Sequence, residues 1–370
     1  MTSFLVNRRS GRPEFGGNIH RILDDFQSSI LFHQTLEGYA PVPLEELPAL
    51  ADLLGIGEIL IKDEGRRFGI AAIKMLGASY AMHRLLENDP SIRIFCTATD
   101  GNHGRSVAWS ASRMGKKAVV FVPGYTVEAR IRNIEREKAE VIKIDGSYDD
   151  AVEAARRYAH GTGNVLIQDM AWKEYEEIPA LITAGYYTQM NEIRDQWDCR
   201  SKPFDLVILQ CGNGSWPSAV SHFIRSHRDF TKTRIILVEP CTCDSVSESI
   251  RRGEVITTAK SQKTIMAGLN CGTPSTLALT ILKSEADACI SIEDRFATEA
   301  MKRFYYPLSG DPQLEAGESG AAGLAGLLAI LREAAFKEIR KEFELNQSSR
   351  VLLFNTETIT DPDLFSRMIR

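Results

Sequence analysis

From Ile92 onward, short β-branched and apolar runs alternate with longer segments in which apolar residues recur every three or four positions. The runs are 92–97, 118–122, 141–144, 164–168, 206–209, 235–238, 289–292 and 351–354. Segments of helical spacing lie between most of them, among them 105–114, 127–138, 149–160 and 178–196. Strands alternating with helices form βαβ units, and a series of such units builds a mostly parallel sheet covered on both faces. The pattern therefore predicts an α/β fold. Ligands of such sheets gather beyond the carboxyl ends of the strands, so the polar residues directly after each run are the ones that carry candidate chemistry. No internal repeat, low-complexity tract or linker interrupts the series, and any two domains are expected to be interwoven.

Length and charge narrow the class. At 370 residues the chain suffices for two or three domains of about 150 residues. With 44% hydrophobic and 25% charged residues it has the composition of an ordinary globular protein. A net charge of −5 argues against a general affinity for nucleic acid or for an anionic membrane. No stretch approaches the roughly 20 apolar residues that cross a bilayer. The first 15 residues lack an apolar segment ahead of a small-residue cleavage site, so no secretory signal and a cytoplasmic location are expected. The seven cysteines (96, 199, 211, 241, 243, 271 and 289) are scattered and odd in number, which suits reduced thiols. Only Cys241 and Cys243 are close, and one intervening residue is not a zinc spacing, so no metal site is expected.

Three segments carry candidate chemistry. In Arg66-Arg67-Phe68-Gly69-Ile70-Ala71-Ala72-Ile73-Lys74-Met75-Leu76-Gly77, a lysine stands in an apolar surround. Lost hydration would lower its pKa and free the amine to attack a carbonyl; the alternative is a packed stem with its ammonium in water. Thr97-Ala98-Thr99-Asp100-Gly101-Asn102-His103-Gly104 follows an apolar run and precedes a helical segment. It offers a carboxylate, an amide and free N–H groups at a strand end, or else a polar turn that caps a helix. Gln210-Cys211-Gly212-Asn213-Gly214-Ser215-Trp216-Pro217-Ser218 occupies the same kind of position. Its glycines and the following helix start can cradle a phosphate, or form a structural turn. It matches neither a dinucleotide fingerprint nor a Walker A loop.

Lysine, amide and phosphate-type loop together fit pyridoxal 5′-phosphate (PLP): the lysine for the aldehyde, the amide for the ring hydroxyl, the loop for the phosphate. On these residues the sequence resembles the diaminopropionate ammonia-lyases, PLP enzymes of fold type II in the tryptophan-synthase-β-like group. The likeness runs from Phe32-His33 and Gly38-Tyr39 to Thr356-Glu357 and Thr360-Asp361. Its most specific stretches are Ile61-Lys62-Asp63-Glu64, Arg67-Phe68-Gly69, Lys74-Met75-Leu76-Gly77, Thr99 to Arg105, Gln168-Asp169, Ala171-Trp172, Met266-Ala267-Gly268-Leu269 and Gly317-Glu318-Ser319-Gly320.

The resemblance implies two interwoven α/β domains with mostly parallel sheets. These are a large PLP-binding domain of residues 1–73 plus 173–370 and a small α/β domain of residues 74–172. It implies that Lys74 bonds the cofactor, that Asn102 lies beside the ring hydroxyl, and that Gly212, Asn213, Gly214 and Ser215 begin the phosphate loop. Asp100 and Asp169 match two carboxylates credited with taking the α-proton, and Thr356 matches the segment that approaches the pyridine nitrogen. The implied reaction is α,β-elimination of ammonia from 2,3-diaminopropionate to give pyruvate and ammonia, by a homodimer acting on a small amino acid. The alternatives are a serine/threonine dehydratase-like or β-replacing PLP enzyme, or a paralogue that binds PLP without turnover. The chain departs from the family at Trp216-Pro217-Ser218-Ala219, where glycines are usual, at Ala71, and at Thr358-Ile359. Ser215 and Ser218 can offer hydroxyls in the loop, but Pro217 has no N–H to give.

Overall fold

The computed structural model describes residues 2–9, 11–70, 72–99, 101–197, 202–258 and 264–370. The chain divides into two units, one of residues 1–15, 40–71 and 189–370, the other of residues 16–39 and 72–188. Numbered along the chain, the first unit holds β1 (Ser3–Val6), β2 (Leu44–Glu46), β3 (Glu58–Asp63), β8 (Leu206–Gln210), β9 (Arg234–Pro240), β10 (Ala288–Ile292) and β11 (Arg350–Asn355). The second holds β4 (Ile94–Ala98), β5 (Lys117–Pro123), β6 (Glu140–Ile144) and β7 (Asn164–Leu166).

In the first unit the described strands run in the order β1-β10-β9-β8-β11-β3-β2. The five inner strands are parallel, and the short β1 and β2 close the two edges antiparallel. The inner strands are buried on both faces, which is why they read as near-continuous apolar runs. Ile208, Val238, Ile290 and Leu353 belong to one core with the helix Ala322–Arg332. That helix lies so close that a Cβ on Gly326 would fall 2.5 Å from a methyl of Val238. The pairing of β11 with β3 sets Asn355 beside Asp63, and Gln210 ends β8, so these polar groups emerge at the carboxyl ends of parallel strands.

In the second unit the order is β6-β5-β4-β7, all parallel. Cys96, Ala98, Val119, Phe121, Ala151 and Ala155 form its core. The helix Tyr148–Ala159 starts with a capping box between Ser147 and Asp150. Elsewhere in this unit the helix Lys74–Asn88 meets the helix Glu177–Gly185 at two glycines. A Cβ on Gly185 would lie 2.5 Å from the Leu76 carbonyl oxygen, and one on Gly77 would lie 2.8 Å from that of Ile182, so the two backbones touch.

The predicted alternation holds from β4 onward, and the fold class is the α/β fold read from the pattern. Two differences have physical causes. The helical segment 178–196 is two helices, Glu177–Gly185 and Tyr187–Gln196, because the Tyr186 N–H bonds Thr183 three residues back rather than four. The strands β1 to β3 lie ahead of the predicted series, because two are edge strands of four and three residues and β3 mixes charged residues into its run. Among the described residues no helix is long and apolar enough to cross a membrane.

Candidate active site

In the second unit, Lys74 opens its helix and its Nζ donates to Asp169 Oδ2 at 2.6 Å. The lysine side chain is 24% exposed and that of the aspartate 9%, so the pair is sheltered but reachable. The apolar surround is present in Ala72, Ile73, Met75 and Leu76, all buried, but the amine itself meets a carboxylate rather than hydrocarbon or bulk water. Burial also pushes the Tyr186 hydroxyl up to about 12, with the Lys74 charge pulling the other way.

Asp169 lies just past the end of β7, and a saturated amide fixes the strand there. Gln168 Oε1 accepts from Thr97 Oγ1 at 2.9 Å and from the Ala98 N–H at 3.1 Å. Its Nε2 donates to the Ala98 carbonyl at 3.1 Å and to the Tyr148 hydroxyl at 2.8 Å. The side chain thus continues the β4–β7 ladder after the backbone stops. The Gln168 N–H donates to the Tyr175 hydroxyl at 2.9 Å, which donates on to the Leu166 carbonyl at 2.8 Å. His103 adds another tie, its Nε2 lying 2.8 Å from the Ile167 carbonyl. A carbonyl has no proton, so Nε2 is the protonated nitrogen; burial holds the imidazole below its ordinary pKa, with the Asp169 charge opposing.

Asn102 begins the helix Asn102–Arg113 beyond β4, and its carbonyl accepts from Ser106 Oγ at 2.7 Å. Thr99 Oγ1 accepts from the Gly101 N–H at 3.0 Å and shapes the turn between them. Asp100 lies outside the described residues, as does Ala71.

In the first unit, the loop after β8 leads into the helix Ser215–Ser226 through Gly214, whose φ of +91° is the left-handed conformation that favours glycine. Gly212 is required by close approach: a Cβ there would lie 3.1 Å from the Gly268 carbonyl oxygen and 3.2 Å from Cys271 Sγ. Asn213 Oδ1 accepts from the Ser215 N–H at 3.0 Å, and the Asn213 carbonyl accepts from the Ser275 N–H at 2.9 Å. The Ser215 N–H is thus taken by Asn213, the Ser218 N–H bonds the Gly214 carbonyl at 3.0 Å, and Pro217 has none, so what this helix start offers an anion is chiefly its dipole. The loop's unusual residues turn inward. Ser218 Oγ donates back to the Ser215 carbonyl at 2.8 Å, and Trp216 packs edge-on against Phe354 with 5.1 Å between ring centres. Thr356 follows β11, 7% exposed, and its Oγ1 accepts from Gln210 Nε2 at 3.0 Å. The segment around Gly268 is tied to Ser319, whose Oγ accepts the Gly268 N–H at 2.9 Å.

Sequence reasoning missed a charged cluster behind β3. Arg67 donates in two forks, to Glu64 at 2.8 and 2.8 Å and to Glu192 at 2.6 and 2.9 Å. It precedes Phe68 and Gly69, both left-handed at φ +49° and +71°. The only signal was the placement of these charges in family-like stretches; their partner Glu192 stands 125 residues away.

A family model described as pyridoxal-phosphate dependent enzyme matches residues 35–354. The chain is 37% identical over 365 residues to the diaminopropionate ammonia-lyase of Salmonella typhimurium, covering 92% of this chain and 90% of that one. It is 35% identical over 366 residues to the enzyme of Escherichia coli K12, covering 94% and 92%. A crystal structure of the Escherichia coli diaminopropionate ammonia-lyase, in complex with an aminoacrylate–PLP azomethine reaction intermediate, superposes with a TM-score of 0.90 at 33% identity, covering 100% of this chain and 97% of that one. With these likenesses over nearly its full length, the chain belongs to the pyridoxal-phosphate-dependent enzymes of fold type II, and among them to the diaminopropionate ammonia-lyase family.

Proposed function

We propose that this protein eliminates ammonia from 2,3-diaminopropionate, with Lys74 as the lysine that bonds PLP and Asp169 as a proton acceptor at the substrate α-carbon. The observation that carries the reading is the 2.6 Å Lys74–Asp169 pair in a chain 35–37% identical to diaminopropionate ammonia-lyases. The donor set fits the cofactor. Gly214 turns the loop at a left-handed φ of +91°, the start of the helix Ser215–Ser226 brings its positive dipole end to a phosphate, and Thr356 holds a hydroxyl for a ring nitrogen. Asn213 and Ser215 complete the phosphate loop, and Asn102 serves the ring hydroxyl.

When bound, PLP supplies an electron sink for the charge that develops at the α-carbon. The chain supplies the rest. Asp169 takes the α-proton, its carboxylate lying 2.6 Å from the Lys74 nitrogen that the cofactor would bond. The Gln168 clamp and the His103 tie hold its strand end still, so the carboxylate meets the proton within hydrogen-bond reach. Loss of the α-proton and of the β-ammonia leaves an enamine, which water converts to pyruvate and a second ammonia.

Asp100, outside the described residues, takes the proton of the D-isomer in the same reading, and Asp169 that of the L-isomer, because a single base reaches only one face of the cofactor plane. The reading includes a homodimer in the cytoplasm; sedimentation of the purified protein tests the first and fractionation the second. The main experiment measures kcat/KM for both enantiomers in Asp100→Asn and Asp169→Asn, each checked for full PLP occupancy. Each variant should lose about 10²-fold on its own isomer alone. Equal loss of both isomers in both variants overturns the two-base assignment. Pyruvate formed faster from serine or O-acetylserine than from diaminopropionate overturns the substrate.

A further inference from the structure

Gln210 ends β8 with its side chain turned toward the segment that follows β11. Its Nε2 lies 3.1 Å from the Gly320 carbonyl oxygen, 2.9 Å from that of Phe354 and 3.0 Å from Thr356 Oγ1. Carbonyl oxygens carry no proton, so the amide can face them only with its NH₂; turned over, it would set oxygen against oxygen. The helix Ala322–Arg332 backs the other side, where a Cβ on Gly323 would lie 3.2 Å from Gln210 Oε1, so the amide has little room to swing.

This orientation decides what Thr356 can do. An amide NH₂ has two protons, here shared among three acceptors, and no lone pair to accept with, so the threonine hydroxyl accepts from Gln210 and cannot donate back. Among the described residues, that is the one hydrogen bond of Thr356 Oγ1. Its own proton therefore points elsewhere, at a buried strand end where the threonine is 7% exposed.

We propose that Gln210 is a positioning residue: it holds Thr356 as a hydrogen-bond donor, so that the pyridine nitrogen of PLP is met as an unprotonated acceptor. The proposal rests on the reading that Thr356 faces that nitrogen. It assigns to Gln210 the choice of hydroxyl direction, and hence the protonation state of the ring.

The test titrates apoprotein with PLP and records both the dissociation constant and the absorption band of the bound cofactor across pH, in Gln210→Met, Thr356→Val and the double variant. Gln210→Met should weaken PLP binding about tenfold, the scale of one hydrogen bond. It should also make the absorption band depend on pH where the wild type's does not, because a freed hydroxyl no longer competes with a ring proton. The double variant should bind PLP within about twofold of Thr356→Val alone, because Gln210 acts through Thr356. Losses that multiply in the double variant make Gln210 a structural residue and overturn the proposal. Should Gln210→Met fold poorly, Gln210→Leu serves: it too removes the NH₂ that holds the hydroxyl, and should give the same spectral change. A pH-independent band in both Gln210 variants overturns the proposal while leaving the Thr356 contact standing. Unchanged PLP affinity and spectrum in Thr356→Val overturn that contact itself, and with it the role of Gln210.

Discussion

Two lysines, one in each unit, pair with a carboxylate at nearly the same distance and yet have opposite fates. Lys62 Nζ lies 2.8 Å from Glu192 Oε2, and Lys74 Nζ lies 2.6 Å from Asp169 Oδ2. Lys62 also donates to the Val42 carbonyl at 2.7 Å and to Gln196 Oε1 at 2.8 Å, so its three protons are all placed. Its side chain is wholly buried, whereas that of Lys74 is 24% exposed. Burial lowers the pKa of Lys62, with Glu192 opposing, so desolvation alone would nominate it as the nucleophile. Access supports the proposed choice of Lys74 instead. A lysine that reacts must be reachable, and an ion pair sealed on every side is architecture.

The comparison fails at once if the wrong lysine carries the cofactor. Lys74→Ala should lower turnover by roughly 10⁴-fold or more, as loss of a covalent nucleophile does. Borohydride reduction of the wild type, followed by peptide mapping, should place the pyridoxyl label on Lys74 and none on Lys62. Lys62→Met should do the reverse: PLP stays bonded in the folded protein, while stability falls by about 3 kcal/mol because Glu192 loses one of two buried cations. Denaturant unfolding measures that loss, and a Lys62→Met protein as stable as wild type would make the cluster dispensable.

A smaller effect comes from two buried carboxylates in the first unit. Burial would raise Glu192, but the Arg67 and Lys62 contacts outweigh it and hold it below the ordinary range. For Glu239 burial prevails and pushes it up to about 8, against the pull of the Val246 and Ser247 N–H groups and of the Arg251 charge. Folded Glu239 therefore keeps a proton that the unfolded chain releases at lower pH. Its contribution is fully present below the unfolded value and is lost as pH rises toward about 8. Glu239→Gln keeps one of the two oxygens that accept from the Val246 and Ser247 N–H groups and removes the titration, so its Tm, lower at the outset, should fall less than that of the wild type over this window. Parallel curves would show that Glu239 is ionised in the folded state.

Much of this was legible in the chain before folding. The βαβ alternation from β4 to β11 follows from runs whose residues are mostly buried, and Asn102, Asp169 and the loop at Gly212 stand where strand ends put them, while Lys74 opens a helix. What periodicity could not show is partnership. The charges of β3 look like defects in a strand until Glu192 and Gln196 arrive from more than a hundred residues away. Gln210 is one more polar residue at a strand end until two carbonyls, from Gly320 and Phe354, fix which way its amide faces. The Trp216 departure from a glycine-rich loop is likewise a packing fact, settled by the ring of Phe354.

The contact between Gly77 and Gly185 has a consequence for how this enzyme can vary. Every amino acid one base change away from glycine brings a Cβ, and at either position that atom falls within 3 Å of a neighbouring carbonyl oxygen. No mutational step is small there, so the lysine-bearing helix is seated by a pair of codons with no tolerable neighbours. In the loop after β8 the limit holds at Gly212 and Gly214 but not at Trp216, whose bulk the core absorbs. Drift in this lineage, and any laboratory evolution of new substrates, should therefore accumulate at positions such as Trp216 and leave the seat of Lys74 untouched.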